Sequence, residues 1–293
     1  MYISDMPQMP QLSAKLKPDG LPGSVNWQIT IEYGRDNRND ADIFPSTAPT
    51  NLPVSTPWNI GVEFGSTIRG GMATITWEYM GVTAPQDFVF HIRGTNPTEA
   101  DAANEIGNDP WYARAIARHE SDMPHQGRYY AQFNEIGTLG PNWTDAKYCP
   151  NWGYPHGWGM MQLEMPYSAS ASVLWDWQMN TAVGLFALSD KRTDAQSYFN
   201  AIRRTFPSQW VEPPTYTPPG TSTVLTALDA ASIQLYNGAA VQRSLLQPDG
   251  VHRSVYNSCW EFNENAPSGS RWTFVENMNN YVLRIIQEYE LNH

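Results

Sequence analysis

The chain has 293 residues, 41% hydrophobic and 13% aromatic, enough for one large or two medium domains with a real core. Acidic residues outnumber basic ones by 29 to 18, and the formal charge of −11 argues against nucleic acid or an anionic membrane as the partner, since both call for basic patches. No stretch approaches the roughly 18 apolar residues that span a bilayer, and residues 1–22 lack the apolar run of a secretory signal. A substrate outside the cytoplasm would therefore require another export route or a longer chain.

Residues 1–23 are rich in Pro, Met and Gly without periodicity, which predicts a flexible lead-in. Residues 25–33 alternate: Val25, Trp27, Ile29, Ile31 and Tyr33 face one way, and Asn26, Gln28, Thr30 and Glu32 the other, the pattern of a half-buried strand. The polar, proline-bearing stretch 34–57 reads as loop with at most a short edge strand. Residues 58–64 form a weaker strand candidate. Alternation returns over 72–79 through Ala73, Ile75, Trp77 and Tyr79, and over 88–92 through Phe88, Phe90 and Ile92. Short strands separated by turns predict a small β-sandwich over 24–97, immunoglobulin-like in architecture only, because the Cys and Trp spacing of true immunoglobulin domains is absent.

After Gly94-Thr95-Asn96-Pro97 the apolar period changes from 2 to 3.6. A short helix is predicted over 98–106. A second opens with Asp109 as N-cap and Pro110 at the first helical position, carries Trp111, Ala115, Ile116 and His119 inward, and stops before Pro124. Residues 137–159, dense in Gly, Pro, Asn and Trp, read as a long loop with room for a hairpin. Helices follow over 172–190, 193–206, 221–236 and 272–290, and the five prolines of 207–220 mark a surface loop. The predicted class is α+β: the sandwich, then a mainly helical domain over 98–293.

Glu120 falls in the last turn of a mostly apolar helix, where partial desolvation raises a carboxyl pKa and suits it to general-acid work. By itself the segment fits equally a surface glutamate beside Arg118. The pair His119-Glu120 does not continue into the zinc motif HExxH, because position 123 is Met123 and His125 comes two residues late. His119 reads instead as a packed helix residue, and His156 as a loop group. A GxSxG elbow, a P-loop and a cysteine-protease signature are all absent. Cys149 and Cys259, the only cysteines, either pair in an oxidising compartment or remain two thiols.

Several short segments occur together and in order: AIARHES, GWGMMQLEMP, WDWQMNTAVG, AASIQLYNGAA and FVENMNNYVLRIIQEY. They contain Glu120-Ser121, Gly159-Met160-Met161-Gln162, Asn180 to Gly184, Tyr236-Asn237-Gly238 and Tyr281-Val282. Across about residues 100–293 this pattern resembles the catalytic module of the soluble lytic transglycosylases, in the lysozyme-like superfamily that also holds goose-type lysozyme. The resemblance implies a peptidoglycan-cleaving enzyme without metal or cofactor. Glu120 would be its sole acid/base, and Ser121, Gln132, Gly159, Met161, Gln162, Tyr236 and Asn237 would line the sugar cleft. Each also has a plain structural reading: Gly159 permits a tight turn, Met161 is core, Tyr236 caps its helix.

The link between Glu120 and the glycine loop is longer than that family's and includes QFNE (Gln132 to Glu135), and the Pro-rich stretch 207–220 is a further departure. Asp122, Glu135, Asp145 and Glu164 thereby become possible second carboxylates. With one carboxylate, the resemblance implies cleavage of the MurNAc-GlcNAc bond to a 1,6-anhydromuramic end. With Glu135 as partner, a hydrolytic muramidase is the alternative. A non-catalytic glycan-binding or injection-apparatus component is the other. The expected partner is peptidoglycan in the cell wall. A delivery apparatus or an immunity protein is compatible with an N-terminal β-domain acting as adaptor, as in secreted effectors or phage tail proteins.

Overall fold

The computed structural model describes residues 1–17, 20–34, 41–45, 50–83, 88–121, 129–135, 147–153, 157–164, 166–168, 170–238, 241–246, 249–257, 259–276 and 279–292. In chain order these give β1 (Ser13–Ala14), β2 (Ser24–Gly34), β3 (Ala41–Pro45), β4 (Thr50–Pro53), β5 (Trp58–Asn59), α1 (Gly61–Phe64), β6 (Gly71–Tyr79), β7 (Val82–Thr83), β8 (Phe88–Ile92), α2 (Glu99–Ile106) and α3 (Ala113–Ser121). They continue with β9 (Trp152–Gly153), β10 (Gly157–Trp158), α4 (Ala171–Trp175), α5 (Trp177–Thr205), α6 (Ala227–Tyr236), β11 (Val241–Leu246), β12 (His252–Asn257), β13 (Trp260–Phe262), β14 (Trp272–Phe274) and α7 (Tyr281–Glu290). The class is α+β. The chain divides into a first unit of residues 1–105 with 120–181 and a second of 106–119 with 182–293.

The first unit is built on one antiparallel sheet. β2 pairs with β6 from Val25–Tyr79 to Glu32–Met72, and its other edge carries β4 and then β3. The far edge of β6 carries β8 and β7. Alternation decides which face is covered: Val25, Trp27, Ile29, Ile31 and Tyr33 are buried together with Ala73 and Ile75. The expected sandwich is not confirmed: among the described residues the layer over this face is made by Ile3, Met9, Val54, Trp58, Ile60, Phe64 and Ile68, with Phe133, Trp158, Leu174 and Trp175. Trp58 stacks on Trp27 at 5.8 Å, and Trp175 meets Tyr33 edge-on at 4.9 Å. The strand candidate 58–64 pairs over two residues only and then coils into α1.

Two further expectations change with that core. The described residues 1–17 of the expected lead-in are bonded to the rest of the unit: the Met1 amino group donates to His91 O at 2.7 Å, Ile3 N–H donates to Arg93 O at 2.8 Å, and β1 pairs with β5. A few apolar side chains without periodicity suffice to seat a segment when a sheet face needs cover. The boundary expected at 97/98 also moves, because Phe133, Trp158 and Trp175 join the sheet's own core and bring residues 120–181 into the first unit.

The helix carrying Glu120 starts at Ala113 rather than beside Asp109, after a turn in which Ala113 N–H donates to Pro110 O at 2.9 Å. The two helices expected over 172–190 and 193–206 are divided elsewhere. α4 is short, Asp176 interrupts it, and α5 then runs unbroken for 29 residues. The polar run SDKRTD inside α5 is a solvated stretch, not a break. Asp176 caps α5, its Oδ1 accepting from Gln178 N–H at 2.9 Å and Met179 N–H at 3.1 Å.

In the second unit, Tyr198, Phe199, Ile202, Ala231, Leu235, Cys259, Trp260 and Trp272 form the core. α6 begins late, at Thr226 as N-cap, because Tyr216 and Leu225 pair as an extended bridge just before it. The helix expected over 272–290 opens as strand: the three residues of β14 pair with β13, and α7 starts only after Asn280, which is left-handed at φ 50°. The β11–β12 hairpin was not anticipated. Its signal is the alternation on either side of Pro248-Asp249-Gly250, a turn sequence. Cys149 is a half-buried thiol of the first unit and Cys259 a buried thiol of the second.

Burial pushes the Asp176 carboxyl above the usual carboxylate range, opposed by the N–H groups of Met179 and Gln178 and assisted by Glu105. A raised folded-state pKa means that the folded chain holds this proton more tightly than the unfolded one. The group's contribution to stability is therefore present below the unfolded value of about 3.9 and is lost as pH rises through the folded value. Asp176→Asn keeps a cap acceptor and removes the charge. Urea titrations should show the variant gaining stability relative to the parent between about pH 3 and pH 7; a difference that is flat across this range would refute the shift.

Candidate active site

Glu120 is half-buried in the last turn of α3, and Ser121 ends the helix with no exposed surface. The Ser121 hydroxyl accepts from Tyr130 N–H at 2.7 Å. That bond ties the helix end to the segment leading into Gln132.

Residues 131–134 and 148–151 run antiparallel, with Asn134 N–H donating to Cys149 O at 2.9 Å and Asn151 N–H to Gln132 O at 2.7 Å. Two buried amides then clamp the glycine loop. Gln132 accepts from Met160 N–H at 2.9 Å through Oε1 and donates to Leu174 O at 2.8 Å through Nε2. Asn180 accepts from Met161 N–H at 2.9 Å through Oδ1 and donates to Trp158 O and Val173 O, both at 3.1 Å. Gly159 sits between them at φ +73°. A Cβ there would lie 2.4 Å from Asn180 Nδ2 and 2.6 Å from Gln132 Nε2, so only glycine fits. Gly159 N–H donates to Asn151 O at 2.7 Å. The Gln162 side chain folds back, its Nε2 donating to Gly159 O at 2.8 Å.

The expected cleft residues therefore separate into two kinds. Ser121, Gln132 and Met161 have no exposed surface, so their side chains do not line an open cleft; they hold and fill the frame around the loop. Gly159 is likewise buried. Glu120 and Gln162 are half-buried and keep surface. Tyr236 is the last residue of α6 in the second unit, followed by the exposed C-cap Asn237 and by Gly238 at φ +76°, a helix stop of left-handed type.

Among the second carboxylates, Glu135 is half-buried and accepts from Asn96 Nδ2 at 2.8 Å through Oε1, while the same Asn96 amide brackets the Phe133 backbone. Glu164 is exposed, and Asp122 and Asp145 lie outside the described residues, as do His125 and His156. His119 packs edge-on against Tyr281 at 5.5 Å. Among the described residues no three His, Cys, Asp or Glu side chains gather to hold a metal ion, and no helix is long and apolar enough to cross a membrane.

Asn96 and Asn151, which the sequence reading did not single out, belong to the same frame. The only signal for them is an asparagine placed beside aromatic and proline residues that pack. Chemically, the arrangement offers a carboxyl group at a helix end, whose neighbour Ser121 is bonded to the segment that in turn holds the glycine loop and its half-buried amide, Gln162. Compared with known protein families, individual proteins and solved structures, the chain matches none.

Asn180→Ala would remove the side-chain acceptor of Met161 N–H and one of the donors to each of the Trp158 and Val173 carbonyls, which keep Leu163 N–H and Gln132 Nε2, in a buried setting. The expected cost is about 1–3 kcal/mol in chemical denaturation, with faster amide exchange at Met161. Unchanged stability and exchange would show that the clamp does not hold the loop.

Proposed function

We propose that the protein is a lytic transglycosylase that cleaves peptidoglycan glycan strands, with Glu120 as acid and then base and a lysozyme-like module around it. One observation carries the reading. Glu120-Ser121 and the Gly159–Gln162 loop, remote in sequence, are linked through Ser121, Tyr130 and Gln132 into one hydrogen-bonded frame within the first unit. The cell wall is the site of action in this reading, reached by delivery from another component.

The chemistry follows from a single acid. Protonated Glu120 gives its proton to the glycosidic oxygen as the bond to the anomeric carbon breaks. The carbonyl oxygen of the substrate's own N-acetyl group attacks that carbon, giving an oxazolinium-like intermediate. Glu120, now a carboxylate, takes the proton from the sugar's sixth-carbon hydroxyl. That oxygen closes on the anomeric carbon, the acetamido group is restored, and a 1,6-anhydro end forms without water. Gln162, the amide of the loop that keeps surface, supplies a hydrogen bond to the bound sugar.

Glu120→Gln preserves shape and removes the acid. Turbidity assays on purified peptidoglycan should show a loss of activity of about a hundredfold or more, with the thermal midpoint unchanged. Activity near that of the parent would place the catalytic acid elsewhere. Digestion in ¹⁸O-water followed by mass spectrometry reads the product: unlabelled muropeptides lighter by one water are expected. Label at the new muramic end would replace this mechanism by hydrolysis with a second carboxylate, Glu135 being the first to test.

A further inference from the structure

We propose that the second unit carries its own pyranose-binding cleft, formed by one face of α5 and the stretch that follows it. A cleft of about 230 Å³ is lined by Gln196, Phe199, Asn200 and Arg203 of α5 together with Trp210 and Glu212. The α5 residues recur at spacings of three and four, so they share one helical face. Phe199 is buried and gives an apolar floor, whereas Gln196, Asn200, Arg203 and Glu212 are exposed around it. Trp210 is half-buried and forms a wall. It is held edge-on against Trp272 at 5.8 Å, its indole N–H donates to Glu212 Oε1 at 3.3 Å, and the Arg203 guanidinium lies 5.8 Å from its ring centre.

A pyranose has an apolar face of C–H groups and a rim of hydroxyls that both donate and accept. An aromatic wall suits the face. Amide, guanidinium and carboxylate side chains suit the rim, because together they present donors and acceptors in planar pairs. Gln196 Nε2 donates to Asn200 Oδ1 at 3.3 Å, which pre-orders the two amides and uses only one of their several hydrogen-bonding positions. A phosphorylated or carboxylate ligand suits the cleft less well, since Glu212 lines it together with a single guanidinium and the chain carries a formal charge of −11. Trp210 and Glu212 belong to the Pro-rich stretch 207–220, where the sequence departs from the lytic transglycosylases, so the cleft is a feature of this chain. That the ring is an N-acetylhexosamine rests on the function proposed above; that it is a pyranose does not.

The test uses the full chain carrying Glu120→Gln, so that no ligand is turned over. Calorimetric titration with triacetylchitotriose and with maltotriose should show binding of at least one trisaccharide. Asn200→Ala should weaken it about tenfold. Trp210→Ala should abolish it, and the exposed Asn200 variant, read beside an unchanged thermal midpoint, guards against misreading a folding defect at Trp210. Absence of heat with both trisaccharides at millimolar concentration, or binding by Asn200→Ala and Gln196→Ala as tight as without either substitution, overturns the cleft. Binding of maltotriose alone, or of either sugar by a parent chain that fails to lyse peptidoglycan, upholds the cleft and removes only its connection to the proposed activity.

Discussion

The first unit depends on buried amides that serve as backbone partners. Gln132 and Asn180 are each without exposed surface, and their side chains join the segment around Gln132 to residues 158–161 and 173–180. In a low-dielectric interior an amide left unpaired costs more than its bond returns. Such segments therefore come to rest together or not at all. Gly159 follows from the same constraint, since two amides approach the place where a Cβ would stand. The position of Glu120 is set by this frame at one remove, through the Ser121 hydroxyl and the Tyr130 N–H.

The second unit solves a different problem: its helices end beside strands and need polar closure. Arg192 pairs with Asp229, which also holds the Thr226 hydroxyl, while Tyr112 sits within reach of the same guanidinium. Burial is the largest effect on the Tyr112 hydroxyl and pushes its pKa upward. At the start of α7, where Asn280 offers no side-chain cap, Glu276 takes over, accepting from Leu283 N–H at 3.0 Å and from the Tyr216 hydroxyl at 3.2 Å. A carboxylate at a helix N-terminus is favoured by the dipole. Burial and the neighbouring Glu276 both drive the Tyr216 hydroxyl well above its ordinary range. These closures surround an aromatic centre at Trp272, which meets Tyr198, Phe199, Trp210 and Phe262.

Strands with one buried face were legible because alternation is a local signal: β2, β6 and β8 lie within a residue of their expected bounds. What covers that face was not legible, because cover is recruited from distant segments by size and shape, as Ile3, Trp58 and Trp175 are, and carries no period. The helix expected over 221–236 starts six residues later, at Ala227, since the apolar spacing of 221–225 mimics a helix while the backbone bridges Tyr216 instead. Aromatic residues at 272 and 274 served both patterns, and pairing with β13 decided for strand. Among site residues, those with rigid local demands could be anticipated as residues but not as roles. Gln132 and Met161 stood out as cleft candidates and proved to be frame.

That distinction limits what the shared motifs can mean. Gly159 is required by close approach, Met161 by burial, Asn180 by the loop it holds, and Gly238 by a left-handed helix stop. Each is satisfied by packing alone and would persist in a protein that bound no sugar. Among the motif residues of the first unit, Glu120 and Gln162 differ in keeping surface where Ser121, Gly159, Met160, Met161 and Asn180 are buried. A substitution at either of these two positions therefore changes a side chain without emptying the core, whereas one at the buried positions disturbs packing first.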